Sequence, residues 1–96
     1  MTAHTTSPQG SPAAKASLAR RLRRIEGQVR GVARMVEEDR DCRELLQQLS
    51  AIRAAVQQAS VAVVRGYADQ CLLEPGVGAE QRKTLEELVA VISKVP

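Results

Sequence analysis

Residues 42–73 read CRELLQQLSAIRAAVQQASVAVVRGYADQCLL. No proline interrupts them, and Gly66 is their only glycine. Leu45, Leu49, Ile52, Val56, Ala59 and Val63 follow one another by fours and threes, and two further steps of four reach Tyr67 and Cys71. That is the seam of a long helix that packs along its length. Leu46 and Val64 add a second apolar edge, so the helix is expected to meet more than one neighbour.

The segment before it repeats the pattern. Leu18, Leu22, Ile25, Val29, Val32 and Val36 make a heptad seam, predicting a first helix from about Pro12–Ser17 to Glu38. Asp39–Asp41 breaks it. Asp41 is a good helix-starting residue, with Glu44 three positions on to complete a capping pair. Glu74, Pro75 and Gly76 are expected to stop the long helix. A third helix, roughly 79–93, carries Leu85, Leu88, Val89 and Ile92. No strand is needed. Two long helices joined by a tight turn form an antiparallel hairpin, and each seam is too long to bury against the other alone. The expected fold is all-α: a three-helix protomer with two long antiparallel helices and a short third, forming a dimeric four-helix-bundle core.

The chain has 96 residues, one tyrosine, and no tryptophan or phenylalanine, so a single thin core of leucine, isoleucine and valine is expected. Residues 1–14 contain almost no large apolar side chain and are expected to form a disordered tail that carries the only histidine, His4. Residues 15–96 are expected to form one domain. The N-terminal stretch offers no signal-like apolar run, and no window is long enough to span a bilayer, so a cytoplasmic protein without membrane association is expected.

The net charge is only +3, but its distribution is uneven. Lys15, Arg20, Arg21, Arg23, Arg24, Arg30 and Arg34 stand against the single acid Glu26. Such a cluster on one helix suits an anionic partner such as nucleic acid, although a basic face can also be merely solvated.

Cys42 opens the long helix and Cys71 nearly closes it. On one straight helix they lie about 43 Å apart, so they cannot meet within a chain. They can meet if two chains pair these helices antiparallel, Cys42 of one facing Cys71 of the other, twice by symmetry. Tyr67 shares a face with Cys71. Reactivity is expected at Cys42, where the helix dipole and the neighbouring Arg40 and Arg43 attract an anion and Asp41 opposes them. Packing is the plainer reading for a cysteine on an apolar stripe.

The stretch RLRRIEGQVRGVARMVEEDRDC (21–42), then QLSAIRAAVQQA (48–59), then a second cysteine, resembles the copper-sensitive operon repressor (CsoR) family over roughly residues 15–93. The resemblance implies an all-helical bacterial repressor without a helix-turn-helix, whose dimers pair into tetramers and whose basic first helix holds operator DNA. Arg21 matches a family arginine implicated in DNA contact; Lys15, Arg20, Arg23 and Arg24 join it on charge alone. A basic residue that some members carry in the second helix is absent here, where Gln57 and Gln58 stand.

Copper sensors of this family carry a histidine between the two cysteines, where this chain has Tyr67. A phenol is a poor ligand for a soft metal. One branch, the sulfurtransferase repressor type (CstR), lacks that histidine, keeps both cysteines and senses sulfane sulfur. This chain looks like that branch, and Asp41 before Cys42 also fits it. The resemblance then implies that Cys42 attacks a persulfide or polysulfide and Cys71 of a partner chain resolves the product, close to Tyr67, Asp41 and Arg43, with no cofactor required. The alternative is a Cu(I)-responsive repressor that uses the two thiolates alone. An enzyme is not expected, because the chain has no CxxC, no candidate general base and no glycine-rich phosphate loop.

Overall fold

The structure is a computed structural model that describes residues 11–73 and 78–93, without the side chains of residues 71–73. It contains three α-helices and, among the described residues, no strand: α1 (Pro12–Glu37), α2 (Cys42–Leu73) and α3 (Ala79–Ser93). The expected all-α, three-helix protomer is what is found. α1 begins inside the segment read as tail, so residues 12–14 are helical; residues 1–10 lie outside the described residues, as does the expected stop at Glu74–Gly76.

Local chemistry sets the helix ends. Ser11 Oγ accepts from the backbone N–H of Ala14 at 3.1 Å, and Pro12 occupies the first helical position, where a missing N–H costs nothing. α1 stops in a Schellman arrangement. Asp39 N donates to the Val36 carbonyl and Arg40 N to the Met35 carbonyl, with Asp39 at φ 55°. Glycine adopts that backbone conformation without a Cβ penalty. Asp39→Gly is therefore expected to raise stability by up to about 1 kcal/mol, read as a higher unfolding midpoint in denaturant. A lower midpoint would show that the Asp39 side chain contributes more than its backbone costs.

The side-chain capping pair expected at the start of α2 is not formed. The Asp41 carbonyl accepts from Leu45 N at 3.1 Å, but the Glu44 carboxylate is taken by the Arg40 guanidinium instead. At α3, Gln81 Oε1 accepts from Gly78 N at 3.0 Å, the returning half of a capping box.

α2 is the spine. It packs against both α1 and α3, which do not touch each other. The radius of gyration is 17.0 Å, against about 12–13 Å for a compact domain of this length. Only Ala59 and Gly66 are buried among the described residues, and no large side chain is fully enclosed.

The two heptad seams each split into two lines. In α1, Leu18, Ile25 and Val32 are half-buried, whereas Leu22, Val29 and Val36 are 49, 51 and 56% exposed. In α2, Leu45 and Ile52 are half-buried and Ala59 buried, whereas Leu49 and Val56 are 48 and 47% exposed. Each helix therefore spends one line on its hairpin partner and leaves much of the other uncovered, although Val63 on the second line of α2 is half-buried. The uncovered line of α2, read back by one heptad from Leu49, begins at Cys42.

Candidate functional site

Cys42 is the first residue of α2 and is exposed. Beside it, Arg40 pairs with Glu44 and, at 3.6 Å, with Glu38. The hydrogen bond to Glu44 pushes the guanidinium further above its already high ordinary value, so it stays charged. Two carboxylates balance that charge, however. Arg40 is not the free cation beside Cys42 that the sequence suggests. Arg43 and Asp41 are both exposed there.

At the other end, Tyr67 is half-buried on α2, and Cys71 follows one turn later in the same helix. α2 is continuous between the cysteines, so they lie about 43 Å apart in one chain. The structure thus brings Tyr67 and Cys71 to one end of α2 and holds Cys42 at the other. Among the described residues no cluster of three histidine, cysteine or carboxylate side chains could hold a metal within one chain. A Cu(I) ion fits this donor set only as a two-sulfur site contributed by two chains, because Tyr67 supplies no nitrogen; His4 lies outside the described residues.

Lys15, Arg20, Arg21, Arg23 and Arg24 are all exposed on α1. Helix geometry puts Arg20, Arg24 and Arg21 within an arc of roughly 100°, with Arg23 about 60° beyond it. Lys15 lies two and a half turns before Arg24, on the opposite side of α1. Arg21 and Arg24 also line a groove of about 330 Å³ between α1 and α2, with Gln28 from α1, Gln58 from α2 and a wall of Ala51, Ala54 and Ala55. Gln28 carries no charge and marks no periodicity, and Gln58 stands out in the sequence only as an uncharged residue where some family members are basic; nothing in the sequence puts the two together. Their shared groove does.

Residues 14–94 match the family described as metal-sensitive transcriptional repressor. The chain belongs to this family. It is 37% identical over 94 residues to the copper-sensing transcriptional repressor RicR of Mycobacterium tuberculosis, covering 94% of this chain and 96% of that one. It is 35% identical over 91 residues to the copper-sensing transcriptional repressor CsoR of Bacillus subtilis, covering 95% and 90%. Among solved structures, the copper-sensing repressor CsoR with Cu(I) from Geobacillus thermodenitrificans superposes with a TM-score of 0.70 at 35% identity, covering 98% of this chain and 92% of that one.

The chain is therefore a transcriptional repressor of the metal-sensitive family, and these relatives are regulators rather than enzymes. No helix among the described residues is long and apolar enough to cross a membrane.

Proposed function

We propose that this repressor works as a dimeric four-helix bundle, with dimers pairing into tetramers, that binds operator DNA and is released by persulfides or polysulfides. The carrying observation is the donor set on α2: two cysteines at its ends and Tyr67 where a nitrogen ligand would complete a copper site.

The bundle reading rests on the uncovered lines. Among the described residues no large side chain is fully enclosed and Leu22, Val29, Val36, Leu49 and Val56 stand in water, where a second copy would cover them. Antiparallel pairing of two α2 helices along the line Cys42–Leu49–Val56 brings Cys42 of one chain to the Tyr67–Cys71 end of the other. Arg20, Arg21 and Arg24 of α1 then lie away from the seam line and are free for DNA phosphates, whereas Lys15 lies on the seam side.

In this reading the Cys42 thiolate attacks the sulfane sulfur of a persulfide and expels the carrier thiolate, leaving a persulfide on Cys42. The Cys71 thiolate of the second chain then attacks the Cys42 sulfur and expels hydrosulfide, forming an interchain disulfide. If Cys71 has also gained a sulfur, the two persulfides condense with loss of hydrogen sulfide, and a trisulfide links the chains. The thiols are oxidised and the sulfane sulfur is reduced. The link fixes the spacing of the two α2 helices, and with it the spacing of the basic α1 surfaces that must match DNA.

The names of the relatives favour a second reading, in which Cu(I) bound by the two thiolates is the effector. Tyr67→His separates the two. Supplying the missing nitrogen is expected to tighten Cu(I) binding by at least about tenfold, or ~1.4 kcal/mol, in competition with a Cu(I) chelator. A wild type that already holds Cu(I) as tightly as the variant, and releases DNA on binding it, would establish the copper reading instead.

A further inference from the structure

Gln28 Oε1 is buried in the structure and has no hydrogen-bond partner. A buried acceptor left unmet costs stability, and such a group calls for an explanation in function or in a missing partner. Gln28 lines the α1–α2 groove of about 330 Å³ with Arg21, Arg24 and Gln58. Among the described residues no carboxylate lines it with them, so the groove suits an anion. Its remaining wall is apolar, made by Ile25 and the alanines of α2. Its volume is that of a small-molecule site at the lower end of the usual range.

The orphan oxygen narrows the class of anion. A phosphodiester has no N–H or O–H to give, so a nucleic-acid backbone leaves Gln28 Oε1 unmet. A carboxylate with a hydroxyl on the next carbon meets both demands. An ammonium in place of that hydroxyl would stand beside two guanidinia with no carboxylate of the groove to balance it. We propose that the α1–α2 groove is a binding site for a small aliphatic α-hydroxy acid. Its carboxylate pairs with the Arg21 and Arg24 guanidinia and accepts from the Gln58 amide, its hydroxyl donates to Gln28 Oε1, and its hydrocarbon part lies against the alanine wall. Both arginines are long and exposed, so they are free to turn onto the carboxylate and open the way to the buried oxygen. The site gives the repressor an input separate from Cys42, because an Arg21 held by the acid is not available to DNA. That consequence, though not the site, rests on the DNA-binding reading.

The test is a calorimetric titration of full-length reduced protein, without DNA, using 2-hydroxy-3-methylbutanoate as the probe. The probe is expected to bind, and 3-methylbutanoate and valine to bind at least about tenfold more weakly. Gln28→Met nearly keeps the volume and removes the unmet acceptor. It is expected to unfold at the same or a higher denaturant midpoint, to bind the probe about tenfold more weakly, and to lose the preference over 3-methylbutanoate. At a probe concentration ten times its Kd, wild-type binding to the duplex it enriches from a random-sequence pool is expected to weaken about tenfold.

No binding of the probe, equal binding of 3-methylbutanoate or valine, or a lowered midpoint or unchanged probe affinity in Gln28→Met would overturn the site, while a wild type that still binds duplex keeps the DNA-binding reading. Protein that shows the expected probe binding but enriches no duplex, or holds its duplex equally well with probe bound, would overturn DNA contact at Arg21 and leave the site standing.

Discussion

Cys42→Ser protein is expected to stay on its operator duplex at a persulfide concentration that releases the wild type. The substitution is small, exposed and at the first position of α2, where serine is well tolerated. Reduced-state affinity should match the wild type, since a hydroxyl in place of the thiol at the proposed α2 seam changes little volume and leaves the basic residues of α1 untouched. What is lost is the nucleophile, because a serine hydroxyl does not attack sulfane sulfur at neutral pH.

The wild type, once linked, is expected to bind the duplex about 100-fold more weakly. That is ~2.7 kcal/mol, within the usual range for coupling between two sites. An electrophoretic shift titration with and without donor reads both numbers. Equal release of Cys42→Ser and wild type would remove Cys42 from the sensing chemistry. The Arg40 pairs with Glu38 and Glu44 bear on this expectation. They leave the reactivity of Cys42 to its exposure, its place at a helix start and Arg43 beside it, rather than to Arg40.

The second large effect is expected at Arg21. Arg21→Ala should weaken duplex binding at least about tenfold, much alike for every sequence, and make the salt dependence shallower by about 0.9 for each phosphate left without its arginine. In an oligomer the loss recurs in each copy, so the effect of one substitution is multiplied. Lys15→Ala is the internal comparison. Lys15 lies on the opposite side of α1 from Arg24, and its removal should change affinity far less. If Lys15→Ala costs as much as Arg21→Ala, the DNA surface wraps α1 rather than following the arginine arc.

Much of the fold was legible because heptad spacing and breaks are local. The bounds of α2 and α3 read from the sequence match the structure, and α1 ends one residue earlier than read, at Glu37. Which heptad line is covered was not legible. Leu18 and Leu22 look alike in the sequence, yet the first is half-buried and the second is exposed. That difference depends on how the hairpin rotates about its turn, and the turn owes its geometry to Asp39 in a left-handed conformation and to Arg40 clasping Glu44.

The cysteine pair was legible as a spacing, and the unbroken helix between its members makes that spacing a real separation. The meeting of Gln28 and Gln58 in one groove was not legible. Glutamine marks neither charge nor periodicity, and Gln28 stands out only through an oxygen that finds no partner once the helices are packed. The clasp on Arg40 was hidden for a related reason. Glu44 could complete a cap with Asp41 or pair with Arg40, and only the packed turn decides between them.

The most direct measurement is the intact mass of the fully reduced protein after exposure to a persulfide donor, taken without reductant and followed by mapping of the linked peptides. The expected result is a species of two chains joined between Cys42 and Cys71, some carrying one or more added sulfur atoms, and appearing in step with loss of duplex binding. Protein that stays at single-chain mass, keeps its DNA in the donor and releases it only on binding Cu(I) would contradict the account.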